Sequence, residues 1–324
     1  MTLVELAKFF WLHDLIRIKS NATEGLQNWF LTGDYLISQV PTNKKIEVFP
    51  RSTEELTKAF SNDLSRLSSA AFESAEGLTK NPIFPYSSGW ILVRAYYSAY
   101  FAANALMRCF GYSSTNIDIL QITSLKDTAR LCGFPCPSKA KTTPQPGVYF
   151  IEYSVASLEV TLSIVNSNGG VHGKFWESFS KFISSLELKI SNSTSLVKDD
   201  KKKAKKELDT IKKMLCGVGS TNFNWLSFVR NNINYRLDYD VWHPYKDCEM
   251  DSEQIIKIFD DIWKQTPDPS LVNVNTDNLQ KFIAVCAFMV SWCKATLEKM
   301  SNFNTPAAHF LKKGPISFLT TAGI

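Results

Sequence analysis

Trp90-Ile-Leu-Val-Arg-Ala-Tyr-Tyr-Ser-Ala-Tyr-Phe-Ala-Ala-Asn-Ala-Leu-Met-Arg-Cys-Phe110 is the most strongly apolar helical pattern in the chain, and Gly111 stops it. Ile91, Leu92, Ala95, Tyr96, Ala99, Tyr100, Ala102, Ala103, Leu106 and Phe110 wrap most of its circumference. A surface helix keeps its apolar residues to one stripe, so this pattern predicts a helix covered on several sides. Alanines alternating with tyrosine and phenylalanine let neighbouring helices approach closely while rings fill the gaps. This is the central helix of a bundle.

The segments on either side support that reading. Ser52-Thr-Glu-Glu55 offers a hydroxyl cap with acids in the first turn and opens a helix to about residue 79. Its apolar positions Leu56, Phe60, Leu64, Leu67 and Ala71 make one clean stripe. Helical periodicity is read over 2–19, with His13 on the apolar side, and over 149–165, 175–190, 198–216, 252–265 and 276–300, with a less regular segment at 124–131. Residues 33–50 are irregular and read as two short strands or an extended crossing. Pro85-Tyr-Ser-Ser-Gly89 is a turn, 133–147 a Pro- and Lys-rich loop, and Gly169-Gly-Val-His-Gly173 a break that leaves His172 on a loop. The expected fold is an all-α bundle with a small N-terminal segment, helical or mixed: 1–50 as helix and extended segment, 51–302 as the bundle and 303–324 as a C-terminal tail.

At 324 residues with 44% hydrophobic content, the chain can bury a full core. Lys and Arg exceed Asp and Glu by 36 to 31, a net +5, which permits a polyanionic partner without demanding one. The seven cysteines, at 109, 132, 136, 216, 248, 286 and 293, have no disulfide-framework spacing and suggest a reducing cytoplasm. The start of the chain carries Glu5 and no small-residue cleavage site, so it does not read as a secretory signal, and the Asn21-Ala-Thr and Asn192-Ser-Thr sequons carry no meaning without that route. The apolar run 282–293 is far short of the roughly 20 residues a membrane span needs and reads as a core helix. No Walker loop, dinucleotide fingerprint or nucleophile elbow occurs. Cys132 and Cys136 have no second pair to complete a zinc site, and no cofactor or metal is expected.

The chemistry concentrates in Val229-Arg-Asn-Asn-Ile-Asn-Tyr-Arg236. Three asparagines in two turns cost a helix roughly 0.5 kcal/mol each relative to alanine, so something besides local stability favours them. Helical spacing brings Arg230, Asn234 and Tyr235 within reach of one ligand: a fixed cation, an amide and a phenol.

Two segments resemble the HEPN superfamily of nucleic-acid- and nucleotide-associated helical domains. Arg94-Ala-Tyr-Tyr-Ser-Ala-Tyr-Phe-Ala-Ala-Asn-Ala-Leu-Met-Arg108 is similar to its second helix, and Arg230-Asn-Asn-Ile-Asn-Tyr-Arg236 to its signature helix; Gly173-Lys-Phe-Trp-Glu-Ser-Phe-Ser-Lys-Phe182 looks like the intervening one. The resemblance spans roughly residues 50–300. It implies an RNA-binding protein or a metal-independent endoribonuclease, commonly a homodimer in bacterial toxin or anti-phage modules, in which an Arg stabilises phosphate charge and a His after four to six intervening residues, here at Tyr235, Arg236 or Leu237, moves a proton. Arg230 and Asn231 match the motif. Tyr235 stands where the His belongs, and a phenol of ordinary pKa near 10 is a poor base at neutral pH.

The catalytic candidates are therefore Arg230, Asn231 and Tyr235. Asn234, Arg236, His243, Lys202, Lys205 and Lys206 are the nucleic-acid-binding candidates. Three readings of the Arg230 helix stand open. It is scaffolding that satisfies buried acids and carbonyls, or a phosphate-binding surface without cleavage, or a ribonuclease that recruits His243 or His172 from elsewhere. In the non-catalytic readings the chain is a binding or regulatory subunit for RNA, a nucleotide or a partner protein. The lysines at 201–206 also fit the wet face of an amphipathic helix, and Trp90 with Tyr86, or Trp242 with Tyr239 and Tyr245, are places where a base could stack.

Overall fold

The computed structural model describes residues 2–18, 24–79, 87–137, 142–166, 170–303 and 309–324. The Asn21 sequon, Pro85 and Tyr86 of the expected turn, and Gly169 of the expected break lie outside the described residues.

The elements in chain order are α1 (Leu3–Ala7), α2 (Leu26–Thr32), β1 (Tyr35–Leu36), β2 (Lys45–Pro50), α3 (Thr53–Thr79), α4 (Ser88–Cys109), β3 (Tyr112–Ile117), α5 (Ile119–Leu131), β4 (Gly147–Ser154), β5 (Glu159–Ile164), α6 (Val171–Asn192), α7 (Lys198–Leu215), α8 (Trp225–Asn231), α9 (Ser252–Trp263), α10 (Leu279–Ser301), α11 (His309–Lys313) and α12 (Pro315–Ala322). The long helices arise where their patterns place them. α4 is buried around most of its circumference, packed against α3 and α10, and α10 buries a continuous run from Leu279 to Cys293 except Gln280.

The all-α expectation is overturned by a five-stranded antiparallel sheet in the order β1-β2-β5-β4-β3. Residues 149–165 are not a helix but the β4–β5 hairpin, in which Ile151 faces Leu162 and Tyr153 faces Val160. β-Branched and aromatic residues crowd helix rotamers but fit a pleated surface, and Glu-Val-Thr-Leu-Ser-Ile alternates polar with apolar, burying Val160 and Leu162. β2 buries Ile46 and Val48 on the same period and pairs with β5 through Glu47 opposite Thr161. The fold is mixed, with a helical majority.

Two smaller expectations also change. The helix expected over 2–19 is broken: α1 ends at Ala7, a 3-10 turn occupies His13–Arg17, and between them the Leu12 N–H donates to the Cys109 carbonyl at the end of α4 (2.7 Å). That tertiary bond takes the donor a continuing helix needs, and it leaves His13 exposed rather than in the core. Residues 171–173 do not break a helix but begin α6, with Gly170 as N-cap, so His172 sits on a rigid first turn.

Candidate functional site

α8 is pinned by Trp225, Leu226 and Val229, and the next turn by Ile233, all buried. Residues Asn232–Arg236 then wind as a single π-helical turn, closed by Leu237 in the left-handed region at φ 59°. This local widening decides the site. In an α-helix residues five apart point about 140° away from each other; the i→i+5 closure of a π turn brings them back to one side. Tyr235 thereby returns to Arg230, whose Nη1 donates to Tyr235 Oη at 3.4 Å and to Asn231 Oδ1 at 3.0 Å.

The rest of the site comes from α4. Arg230 Nη2 donates to Tyr97 Oη at 2.5 Å, and the guanidinium carbon lies 5.4 Å from the Tyr97 ring centre, 5.4 Å from that of Tyr235 and 5.9 Å from that of Tyr96. Arg230 is 7% exposed, yet among the described residues no carboxylate pairs with it and its Nε has no hydrogen-bond partner. A buried cation normally takes a carboxylate. Here it takes three neutral oxygens and the faces of tyrosines.

His172 completes the cluster from α6. Its ring lies 4.8 Å from Tyr100, 5.5 Å from Tyr96 and 5.7 Å from Tyr97, centre to centre, and its Nδ1 is 3.0 Å from Tyr96 Oη. Tyr96 Oη accepts from Trp176 Nε1 at 3.1 Å, and Nδ1 is the acceptor placed for its own hydroxyl proton; we assign the hydrogen bond in that sense, which puts the imidazole proton on Nε2. Burial, and secondarily the positive charge of Arg230, push the His172 pKa down to about 4. Burial likewise raises Tyr96 and Tyr100 above the usual phenol range. At neutral pH the site holds one fixed cation, a neutral imidazole and un-ionised phenols.

Of the candidates drawn from the sequence, Arg230, Asn231 and Tyr235 are brought together, with Tyr235 73% exposed at the outer edge. Asn234 is half-buried and Arg236 exposed on the same turn, neither bonded to Arg230. His243 is exposed and its ring meets Tyr245, not the Arg230 cluster. Its neighbour Trp242 donates Nε1 to the Ile233 carbonyl at 2.9 Å and stacks edge-on with Trp90 at 5.4 Å, bracing the π turn.

The lysines lie elsewhere. Lys202 and Lys206 are exposed and Lys205 half-buried on α7, where Lys201 Nζ reaches the Ser191 carbonyl. Ser191 and His172 are nineteen residues apart on α6, or about 28 Å along its axis at 1.5 Å per residue. Tyr97 was not among the sequence candidates. Its signal was the Tyr96-Tyr97-x-x-Tyr100 spacing, which sets one phenol towards the core and one towards α8.

No family model, curated protein or solved structure matches the chain. Among the described residues, no helix is long and apolar enough to cross a membrane.

Proposed function

We propose that the protein is a HEPN-like cytoplasmic RNA-binding protein that seats a phosphodiester on Arg230. The observation that carries the reading is the buried guanidinium with neutral partners and, among the described residues, no carboxylate. Such a group is costly to bury and gains most when an anion arrives, through charge-assisted hydrogen bonds. Tyr235 makes the longest of its bonds and is 73% exposed, so it swings aside to admit the phosphate and offers its ring to an adjacent base. His172 Nε2–H and the Asn231 amide supply further donors. Phe228, Tyr235 and Leu237 are exposed on this one stretch, 49%, 73% and 61%, which favours a self-complementary homodimer through it.

Cleavage is the second reading, favoured by the neutral imidazole beside Arg230, as in an endoribonuclease of a toxin or anti-phage module. Against it stands the assigned tautomer, in which Nδ1 accepts the Tyr96 hydroxyl and keeps no free lone pair for a ribose 2′-hydroxyl. Binding without cleavage is therefore the conclusion. The experiment is a titration of single-stranded RNA in EDTA, scored for both retention and cleavage, on wild type, Arg230→Met, His172→Gln and Lys202→Ala/Lys205→Ala/Lys206→Ala. Binding is expected to fall about tenfold or more in Arg230→Met and to persist for a trinucleotide in the lysine variant, with no product in any lane. EDTA-resistant cleavage lost in His172→Gln would install the ribonuclease; RNA binding indifferent to Arg230→Met would remove the site altogether.

A further inference from the structure

A second buried arginine lies away from the Arg230 cluster. Arg108, 5% exposed near the end of α4, donates Nη1 to Asn104 Oδ1 (3.2 Å) and Nη2 to Thr115 Oγ1 (3.5 Å) on β3; Asp63 Oδ2 on α3 is 3.6 Å away, and among the described residues Nε has no hydrogen-bond partner. It lines a cavity of about 460 Å³ between the start of α2, α3, α4 and β3. That is a small-ligand volume. Among the described residues the charged ones of the lining are Asp63, Arg66 and Arg108, which together carry one net positive charge.

The lining is also polarised along its length. Phe101 and Arg108 stand seven residues apart on α4, two helical turns, or about 10 Å. On α3, Asp63 and Arg66 are followed one turn later by Leu67 and Ala70, so both helices set their charged side chains at one end and an apolar wall at the other. Hydroxyls and an amide of Ser114, Thr115 and Asn116 edge the cationic end. An inorganic anion would use half of this. A flat ring held about two helical turns from a phosphate would use all of it.

We propose that this cavity binds a nucleoside monophosphate, with the phosphate on Arg66 and Arg108 and the base against Phe101. Arg108 supplies an immobile fork fixed by Asp63 and Asn104, and Arg66, which is exposed, closes over the phosphate. Aromatic stacking accepts any base, so the seat selects the class rather than one nucleotide. The cavity shares no lining residue with the Arg230 cluster, although Phe101 packs against its Tyr97 and Tyr100 rings (6.1 and 5.9 Å), and the proposal does not rest on the RNA reading.

Isothermal titration of the full chain with adenosine monophosphate, ribose 5-phosphate and adenosine tests it. The monophosphate is expected to bind more tightly than either fragment. Arg66→Ala, a change at an exposed position, should weaken it about tenfold or more. Phe101→Leu should weaken the monophosphate while leaving ribose 5-phosphate unchanged, and Arg230→Met, which removes the proposed RNA phosphate seat, should still bind adenosine monophosphate. No heat with adenosine monophosphate, or the same affinity in Arg66→Ala, overturns the site. Equal binding of ribose 5-phosphate and the monophosphate overturns the base seat, and loss in Arg230→Met assigns the nucleotide to the other cluster.

Discussion

The imidazole of His172 should titrate far below the ordinary histidine range, and this is the sharpest test of the aromatic cluster. Its pKa of about 4 lies well under the reference 6.5; because the ring is only partly buried, solvent screening reduces the linkage from the full conversion to about 1–2 kcal/mol. The sign follows from the depressed folded-state value. Above pH 6.5 the group is neutral in both states and its contribution is fully present. As the pH falls from 6.5 towards 4 the unfolded chain takes up a proton that the folded site refuses, and the contribution is lost. The assay is two-fold: the imidazole proton resonance followed from pH 8 to pH 3.5, assigned with His172→Gln, and urea unfolding of both proteins across the same window. The stability of wild type should fall relative to His172→Gln as the pH drops, by an amount approaching that figure. In Arg230→Met the resonance should titrate higher than in wild type but still below 6.5, because burial is the larger cause and remains. A His172 titration between pH 6 and 7 in the wild type would refute the reasoning, since it would mean that water reaches the ring and that the tyrosines do not enclose it.

Two further changes read other parts of the argument. Arg230→Met should leave the thermal midpoint unchanged or raise it, because it removes a buried cation that no carboxylate among the described residues offsets; a fall of several degrees by calorimetry would mean that the arginine is scaffolding. Gly89→Ala should destabilise by about 1–3 kcal/mol in urea, because its methyl would sit 2.6 Å from Cε2 of the rigid Trp242 indole, and a change under half that range would show that the indole has room to move.

The helical core was legible because its signals agree with one another. In α3 the hydroxyl cap, the first-turn acids and the apolar stripe all name the same start, and in α4 and α10 apolar residues on nearly every face can only mean a covered helix. The sheet was less legible. Val148, Tyr149, Phe150 and Ile151 are consecutive and apolar, which fits a strand buried on both faces and a helix alike. The alternation in β5 was there to be read and settles the hairpin. β3, Tyr-Ser-Ser-Thr-Asn-Ile, has too few apolar residues to announce itself and is a strand because β4 offers it an edge. In the site, the local part was legible: Arg230, Asn231 and Tyr235 are neighbours in sequence. That Tyr235 should reach Arg230 through a π turn was not, nor that Tyr97, 133 residues earlier, would bond the guanidinium and His172 on the first turn of α6 would pack against the Tyr96, Tyr97 and Tyr100 rings. Those contacts are set by how α4, α6 and α8 pack.

The sheet order has a consequence for how this chain can be shortened. β2 lies between β1 and β5, so the only hydrogen-bonded cover of β5 on that side is contributed by residues 45–50. A fragment beginning at α3 would keep every long helix yet present β5 as a bare edge, with its N–H and C=O groups from 160 to 163 open to any other extended chain. Such a fragment would be a seed for strand-to-strand aggregation, and expression of the helical core alone should yield insoluble material where the full chain does not.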